Sequence, residues 1–519
     1  MQHPRTASVA TAPGALPLLG HLPRFVRAPL AFVRTLPAHG ELVEIRLGTR
    51  RMVVVCDLEL TRTLLRHDRV FDKGGPLYRR LEEVGGVGLA TCPASEHRRQ
   101  RRLVQPAFHQ RCFPGYAQIM TDRTDAALTC WQEGGTVDLT RETRRITADV
   151  LVATVFGADL DPAVHALLAA DLHELLAGVF RRSLLPEPLC RLPTPGNRRH
   201  ARASARARRL MGELIAGHRA AGAASHRTPD GPADPRSGLL SLLLAARDPE
   251  GGPAFSDEEL IDHAVTLYVS GTETTAGAVC WALHFSALHP PVHRRLTEEI
   301  ATVLGGRTAT WADLPRLRYT RQTLTEALRL CPPGWLLTRR TEEDTTLGPY
   351  ALPRGTVLAY SPYLLHHLPE EHPDPDTFDP NRWQPGPDGS PPPPLFLAFG
   401  AGPRRCIGDE FAYLQGTLLL ASLLSHWDLH PHPRTPPCPP SPHTPTPRAP
   451  SPPSSPPRTT TTPALPAPAP DRPLLRPART GAVPPDRNLL TTLCNHPLTL
   501  RRLCESSELL RLKWWMRNK

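Results

Sequence analysis

One ten-residue segment, FGAGPRRCIG at residues 399–408, constrains this chain most, because it places a cysteine in a glycine-rich loop just before a long apolar run. Glycine lets a backbone approach a sulfur atom closely, and backbone N–H groups stabilise the charge of a thiolate. The apolar run at residues 411–424 predicts a buried helix whose positive N-terminal end lies next to Cys406. A lone cysteine is more often a buried structural residue. The full spacing F-x-x-G-x-R-x-C-x-G instead favours a thiolate that serves as a ligand.

Three further segments accompany the cysteine loop in a definite order. Residues 270–275 read SGTETT inside a long apolar stretch, and residues 378–383 read FDPNRW. Between them, Glu326 and Arg329 form an E-x-x-R pair, which alone would carry no weight because acidic and basic residues three apart occur on many helices. The four motifs, in this order over about 140 residues, resemble those of the cytochrome P450 family of haem-thiolate monooxygenases.

The resemblance implies a mainly α-helical fold with small β-sheets. One large helical haem domain would cover residues 12–430, after a flexible N-terminus at residues 1–11. The apolar segment that contains SGTETT would be a long central helix, with Ser256 as its N-cap. Residues 41–57 alternate and are rich in β-branched side chains, which predicts a hairpin. Residues 73–95 are rich in glycine and predict a loop.

The resemblance also implies which residues hold the cofactor, haem b. Cys406 would be the axial ligand of the iron, and Arg404 suits a haem propionate because a guanidinium pairs a carboxylate through two hydrogen bonds. The other haem-binding residues implied are Phe399 and Gly408 in the loop, His97 and Arg101 one helical turn apart, and Arg339. The alternative for His97 and Arg101 is that each is an exposed surface charge.

The SGTETT segment carries the proton-transfer residues that the resemblance implies. Thr274 would stabilise dioxygen and a proton-donating water, and Glu273 would relay protons from solvent. Gly271 would let the helix bulge and open a groove. The alternatives are a threonine hydroxyl bonded back to the carbonyl four residues earlier, and a glutamate exposed on a helix face.

A second group of motif residues is predicted to act structurally. Glu326, Arg329 and Arg382 would form a buried charge network beneath the haem loop. Because a buried charge that loses its partner is costly, the network would support folding and haem retention rather than chemistry.

The substrate pocket implied by the resemblance is apolar, which suits a hydrocarbon or weakly oxygenated substrate. Its predicted lining is Leu77, Tyr78, Val179, Phe180, Val265, Tyr268, Trp335, Leu336 and Leu337. Several stretches, such as HRRQRRLVQPAFH and EALRLCPPGWLLTR, resemble actinobacterial terpene-oxidising members of the family. This implies stepwise hydroxylation of an allylic methyl group in a cyclic sesquiterpene. The alternatives are another lipophilic substrate (a fatty acid, steroid or polyketide), a peroxide-driven enzyme, or a haem protein without function.

Sequence motifs and net charge indicate which partners this chain would have. No glycine fingerprint of a dinucleotide fold is found in the sequence, so electrons from NAD(P)H would arrive through a separate ferredoxin and its reductase. The net charge of +11 comes largely from arginine clusters at residues 97–102 and 197–209. These suit an acidic electron-transfer protein better than nucleic acid, since no aromatic or zinc-finger pattern accompanies them. A monomer without a membrane anchor is expected.

Cysteine usage indicates the compartment. The eleven cysteines are scattered, with no C-x-x-C pair, which fits a reducing environment rather than a disulfide framework. No apolar run is long enough to span a bilayer, and the N-terminus lacks the core of a signal peptide. These features predict a cytoplasmic protein.

The C-terminal part has a different character. Residues 431–490 contain 22 of the 62 prolines, which predicts a disordered or polyproline segment over residues 431–488. The family normally continues here with a short hairpin that closes one wall of the pocket, and no hairpin pattern is found. The favoured hypothesis is a shifted reading frame near residues 430–435. The alternative is a natural linker with a small terminal helix at residues 489–519.

Overall fold

The computed structural model describes residues 7–157, 162–224, 238–248, 250–386, 395–431 and 513–518. Most of the predicted proline-rich segment and most of the terminal segment lie outside these ranges. All of the described residues belong to one unit of the fold.

Helices dominate the described residues, and the predicted fold class, mainly α with small sheets, is confirmed. The helices are α1 (Leu22–Arg27), α2 (Pro29–Arg34), α3 (Leu58–Arg66), α4 (Pro76–Gly85), α5 (Ala94–Val104), α6 (Phe113–Leu128), α7 (Leu139–Phe156), α8 (Pro162–Leu184), α9 (Glu187–Arg191), α10 (Pro195–Ala224), α11 (Leu239–Ala245), α12 (Asp257–Leu288), α13 (Pro290–Leu304), α14 (Arg318–Leu330), α15 (Pro362–His366) and α16 (Asp409–His426). No helix within the described ranges is both long and apolar enough to cross a lipid bilayer.

The central helix α12 begins where the sequence predicts. Ser256 Oγ accepts a hydrogen bond from the Glu259 N–H (3.2 Å), and Glu259 Oε2 accepts one from the Ser256 N–H (2.8 Å). This reciprocal capping box satisfies two N–H groups that a helix start leaves free. Most of α12 is apolar on all sides, and its buried residues join those of α6, α7, α14 and α16 in the largest core cluster.

Within the described residues, three small sheets lie beside the helices. Their strands are β1 (Ala10–Thr11), β2 (Leu42–Leu47), β3 (Arg50–Val55), β4 (Phe71–Asp72), β5 (Thr136–Asp138), β6 (Leu337–Thr341), β7 (Thr345–Leu347), β8 (Tyr350–Leu352), β9 (Val357–Tyr360), β10 (Trp427–Pro431) and β11 (Lys513–Asn518). The largest sheet has the order β1-β2-β3-β9-β6-β4, and β7 pairs with β8. Strands β2 and β3 are antiparallel, with Leu42 opposite Val55, so the hairpin predicted at residues 41–57 is present.

The loop prediction for residues 73–95 is wrong in part, because α4 occupies Pro76–Gly85. Gly75 has a φ of +89°, and Pro76 takes the first helical position, where a missing N–H costs nothing. Leu77, Leu81 and Val84 lie on one face and pack against the main core cluster. The glycines therefore lie at the two ends of a helix and do not make the whole segment a loop.

The third sheet joins distant parts of the chain in the order β10-β11-β5. Strand β11 is antiparallel to both neighbours: Trp515 lies opposite His430 on one side and Thr136 on the other. Over Lys513–Asn518 the structure therefore differs from the terminal helix considered from sequence. These six residues find hydrogen-bonding partners only through chain segments far away in sequence, which no local pattern reports.

Candidate active site

The cysteine loop connects a short 3-10 turn at Gly402–Arg404 to helix α16. The Cys406 N–H donates to the Phe399 carbonyl (2.9 Å), which closes the loop around the sulfur-bearing residue. Gly402 has a φ of +68°, and a Cβ there would lie 2.2 Å from the Leu65 carbonyl oxygen. Only glycine therefore allows the loop to approach α3 this closely.

The surroundings of the Cys406 thiol act in opposite directions on its pKa. The pKa is raised overall, first by desolvation among the surrounding groups and also by the Asp409 carboxylate, although the Cys406 side chain itself is exposed in the described residues. A hydrogen bond from the Gly408 N–H and the charges of Lys73 and Arg101 lower it. Gly408 caps α16, so the positive end of that helix also lies beside the sulfur. In the described residues desolvation outweighs this donor and these cations, and a metal ion bound to the sulfur would favour the thiolate further.

Basic side chains gather next to this cysteine. The pKa of His97 is lowered to about 3, by burial first and then by Arg404, Lys73 and other cations. The pKa of Lys73 is lowered to about 7, by burial and by Arg339 and Arg404, whereas Cys406 raises it. The structure thus brings His97, Arg101, Arg339 and Arg404 together, and adds Lys73, which no sequence pattern singled out.

The basic cluster keeps unused capacity to bind an anion. Arg339 is 2% exposed, and its Nε has no hydrogen-bond partner in the described residues. Lys73 Nζ donates to the Ala90 carbonyl (2.8 Å) and lies 5.7 Å from the ring centre of Tyr78. A buried guanidinium with one unsatisfied N–H group, beside an ammonium whose pKa is lowered, is an environment that a carboxylate would stabilise. These residues fit the two propionates of haem.

Arg404 and Arg101 already make hydrogen bonds within the protein, which the sequence did not predict. Arg404 donates to Asp68 Oδ2 (3.0 Å), to Asp72 Oδ1 (2.6 Å) and to the Cys92 carbonyl (2.9 Å). Arg101 Nη1 donates to the Arg405 carbonyl (2.7 Å). Both arginines therefore fasten the cysteine loop to neighbouring segments, and their contact with a propionate stays a prediction.

The SGTETT segment lies in an uninterrupted stretch of α12, so the bulge expected at Gly271 is not present. A Cβ at Gly271 would lie 3.1 Å from Leu151 Cδ2, which shows close packing against α7. Thr274 Oγ1 donates to the Ser270 carbonyl (2.6 Å), the back-bonded arrangement considered from sequence. Yet Thr274 and Ser270 are exposed in a helix that is otherwise mostly buried. The hydroxyl oxygen of Thr274 therefore remains able to accept a hydrogen bond.

Glu273 is not the free surface charge of the alternative interpretation. Its Oε2 accepts a hydrogen bond from Arg144 Nε of α7 (2.8 Å), and both side chains are partly buried. A proton relay through Glu273 would require the carboxylate to leave this partner, and the relay stays a prediction.

The structure brings the three residues of the predicted charge network together. Arg329 Nε and Nη2 donate to the two Glu326 oxygens (2.9 and 2.8 Å), and both side chains are fully buried. The remaining donors of Arg329 reach the carbonyls of His366, Pro375 and Thr377. Arg382 Nε lies 3.5 Å from Glu326 Oε1 without hydrogen-bond geometry.

Sequence reasoning missed one member of the network, Trp383. Its Nε1–H donates to Glu326 Oε2 (2.8 Å), and the Asp379 N–H donates to Glu326 Oε1 (3.1 Å). The signal was present as the last residue of FDPNRW, since a partly buried indole N–H needs an acceptor. The glutamate is thereby held by four hydrogen bonds from two chain segments.

The predicted pocket residues do not form one cluster. Phe180, Trp335 and Leu336 pack together with Phe25 near the largest sheet. Tyr268 belongs to the main helical core, where its hydroxyl has no partner in the described residues. Tyr78 instead sits with the basic cluster, since its hydroxyl hydrogen-bonds to Arg339. A shared role in substrate binding stays a prediction for these residues.

The mainly helical fold and the cysteine loop with its basic cluster agree with what comparison with known families shows. The cytochrome P450 family profile matches residues 11–454. The chain belongs to the cytochrome P450 family, and it is a monooxygenase of that family. Haem follows as its cofactor, because the family is defined by it.

Relatives narrow the likeness within the family. The chain is similar to cyclooctat-9-en-7-ol 5-monooxygenase of Streptomyces melanosporofaciens, with 40% identity over 432 residues, 83% of this chain and 92% of that protein. It is 41% identical to cyclooctatin synthase of the same organism over 425 residues, 82% of this chain and 90% of that protein. It is 40% identical to pentalenene oxygenase of Streptomyces avermitilis over 422 residues, 81% of this chain and 91% of that protein.

Proposed function

We propose that this cytochrome P450 hydroxylates a cyclic terpene, with haem b bound by Cys406 and electrons delivered by a separate ferredoxin and its reductase. The observation that carries the substrate class is the set of terpene-oxidising relatives. They are about 40% identical to this chain over aligned regions that cover more than four fifths of it. A cyclic sesquiterpene, oxidised stepwise at an allylic methyl group, is the particular substrate we propose.

The described residues support haem binding through complementary charges. Cys406 would supply the thiolate ligand, and Arg339 and Lys73 would pair with the propionates, with His97 and Arg101 beside them. When bound, haem supplies the oxidative chemistry that places one oxygen atom of dioxygen into a C–H bond. The protein's part is to hold the cofactor, to deliver protons and to exclude bulk water.

Proton delivery falls to α12 in this proposal. The Thr274 hydroxyl donates its hydrogen to the Ser270 carbonyl, so its oxygen is left as an acceptor for a water molecule. That water would be held with its proton directed towards the reacting oxygen. Glu273 would exchange protons with solvent when it separates from Arg144, whose guanidinium otherwise holds it in place.

Apolar residues favour a terpene without charged groups. Phe180, Trp335 and Leu336 offer aromatic and aliphatic surface, and the hydroxyl of Tyr268 is a buried polar group that could orient an alcohol product. We further infer that the protein is a cytoplasmic monomer. Its scattered cysteines support a reducing compartment.

The test is the absorption spectrum of the purified, dithionite-reduced protein under carbon monoxide, followed by titration with cyclic sesquiterpenes and product analysis with ferredoxin and reductase. A Soret band at the red-shifted position of thiolate-ligated ferrous haem is expected, and a terpene should shift the spectrum of the resting protein. A band typical of histidine or neutral thiol would refute Cys406 as ligand. Turnover of fatty acids or steroids without terpene turnover would refute the substrate.

A further inference from the structure

A surface cleft between α4, α9 and α10 carries an excess of positive charge that the monooxygenase reaction does not explain. Its volume is about 540 Å³, within the range of small-molecule sites. Charged lining comes from Glu83 on α4, Arg182 at the end of α8, Arg191 on α9, and Arg198 and Arg208 on α10. An apolar wall is formed by Cys190, Leu192, Pro193, Ala201 and Ala205.

The arginines around this cleft outnumber the carboxylates that neutralise them. Glu83 is shared by Arg80 and Arg182, so a single carboxylate serves two guanidinium groups. Glu187 is likewise shared by Arg79, Arg80 and Arg191.

Two further arginines beside the cleft make no ion pair with the described residues. Arg198 is exposed at the cleft, and its guanidinium also makes no hydrogen bond with the described residues. Arg181 lies against the first turn of α10, where its Nη2 is 3.1 Å from the Cβ position of Gly196. Four arginines therefore share two carboxylates, and two more have none. Arg208 is the exception in the cleft lining, because it pairs with Asp262 and Glu258.

Unpaired nitrogen atoms accompany the excess charge. Arg80 Nε, Arg181 Nη2 and Arg182 Nε are buried without hydrogen-bond partners in the described residues. A buried N–H group without an acceptor is unfavourable, and three such groups on neighbouring arginines indicate missing negative charge. The electrostatic effect reaches His200 in the cleft wall, whose pKa is lowered to about 4 by burial and by Arg182.

We propose that this cleft binds a phosphate-bearing small molecule. A phosphate carries about two negative charges and several acceptor oxygens, which match guanidinium groups that can each donate two parallel hydrogen bonds. A carboxylate would neutralise less of the excess. The apolar wall at Leu192 and Pro193, and a volume larger than inorganic phosphate needs, leave room for the organic part of a phosphate ester.

Two arginines that are adjacent in sequence provide a matched test. Arg198 lines the cleft, whereas Arg199 is exposed on another side of α10 and pairs with Glu174 (3.4 Å). Arg198→Gln and Arg199→Gln change the net charge equally. The full-length, haem-loaded protein and both variants would be titrated calorimetrically with inorganic phosphate and with hexyl phosphate at fixed ionic strength.

The expected result is saturable binding of hexyl phosphate that weakens about tenfold in Arg198→Gln and less than twofold in Arg199→Gln. Equal affinity for inorganic phosphate would support the site and identify the free anion as its ligand, whereas tighter binding of the ester would identify an organic phosphate. Absence of binding for both probes overturns the proposal. Equal losses in the two variants also overturn it, because general surface charge would then explain the binding.

Discussion

Arg329 and Glu326 form a two-point ion pair, with Nε–Oε2 at 2.9 Å and Nη2–Oε1 at 2.8 Å, and neither side chain has any exposed surface. An ion pair this deep does not by itself stabilise a protein, because both charges lose their hydration. What it does is fix geometry: Arg329 ties α14 to the carbonyls of His366 and Pro375, while Glu326 holds Trp383. Helix α14 and the segments that contain His366, Pro375 and Trp383 are thereby held in one arrangement.

Replacing Arg329 by alanine should abolish stable haem binding and lower the free energy of unfolding by about 3–5 kcal/mol, since Glu326 would remain buried without its partner. Haem content after purification and urea denaturation measure the two effects. Arg209→Ala is the control, because Arg209 forms a solvent-exposed pair with Glu213 (3.6 Å) that contributes at most about 1 kcal/mol. Normal haem content in Arg329→Ala would contradict the assigned role.

Gly402→Ala should disrupt the cysteine loop. The new Cβ would lie 2.2 Å from the Leu65 carbonyl oxygen, and the residue would also keep a φ of +68°. The expected result is loss of haem and a lower melting temperature. Gly306→Ala controls for backbone strain, because Gly306 has a φ of +90° but nothing within 4 Å of its Cβ position. It should cost only about 1–2 kcal/mol. Similar behaviour of the two variants would show that the close approach to α3 is unimportant.

Lys73 should make the stability of the haem-free protein depend on pH. Its pKa is lowered to about 7 in the folded state, from 10.5 as the ordinary value. Between these pH values the unfolded chain keeps a proton that the folded protein has released, so the free energy of unfolding rises with pH. Below about pH 7 the full cost of burying the charge is present in the folded protein.

The measurement is the free energy of unfolding at pH 7 and pH 9 for the haem-free protein and for Lys73→Met. The advantage of the variant should be largest at pH 7 and shrink towards pH 9. Haem should remove the difference in slope, because a propionate at the proposed position would stabilise the charged lysine. Parallel pH profiles for the two haem-free proteins would show that the folded protein does not destabilise the charge of Lys73.

Thr274→Ala should reduce product formation by about 10² while substrate-dependent oxygen consumption continues, because the variant lacks the hydroxyl oxygen that we propose would hold the proton-donating water. Product per dioxygen consumed is the measurement. Thr302→Ala is the control for loss of a helical back bond, since Thr302 Oγ1 donates to the Glu298 carbonyl (2.8 Å) at the surface of α13. Full coupling of oxygen consumption to product in Thr274→Ala would exclude a role in proton delivery.

Removal of residues 513–519 should destabilise the protein, because β11 is the middle strand between β10 and β5. Its loss leaves backbone groups of both neighbours without partners. The melting temperature should fall, whereas replacing residues 437–497 by a short glycine-serine linker should preserve it. An unchanged melting temperature after removal of 513–519 would favour the shifted reading frame, and translating the other two frames of the gene would then be decisive.

Much of the site was predictable because its motifs are local. The loop around Cys406, the helix start at Ser256 and the pair Glu326–Arg329 depend on residues within a few positions of one another, and the structure shows each of these local arrangements. The helix at Pro76–Gly85 was not predicted because glycines cluster at its two ends, whereas the apolar spacing between them is that of a helix.

The sequence by itself determined the family, the mainly helical class and the residue that bears the thiol, because composition, periodicity and motif spacing are properties of the chain. Only the tertiary structure decided that Lys73 joins the basic cluster, that Arg404 is fastened to Asp68 and Asp72, and that β11 lies between β10 and β5. These relationships join residues tens to hundreds of positions apart. Their free energy depends on burial and distance in space, which spacing along a chain does not encode.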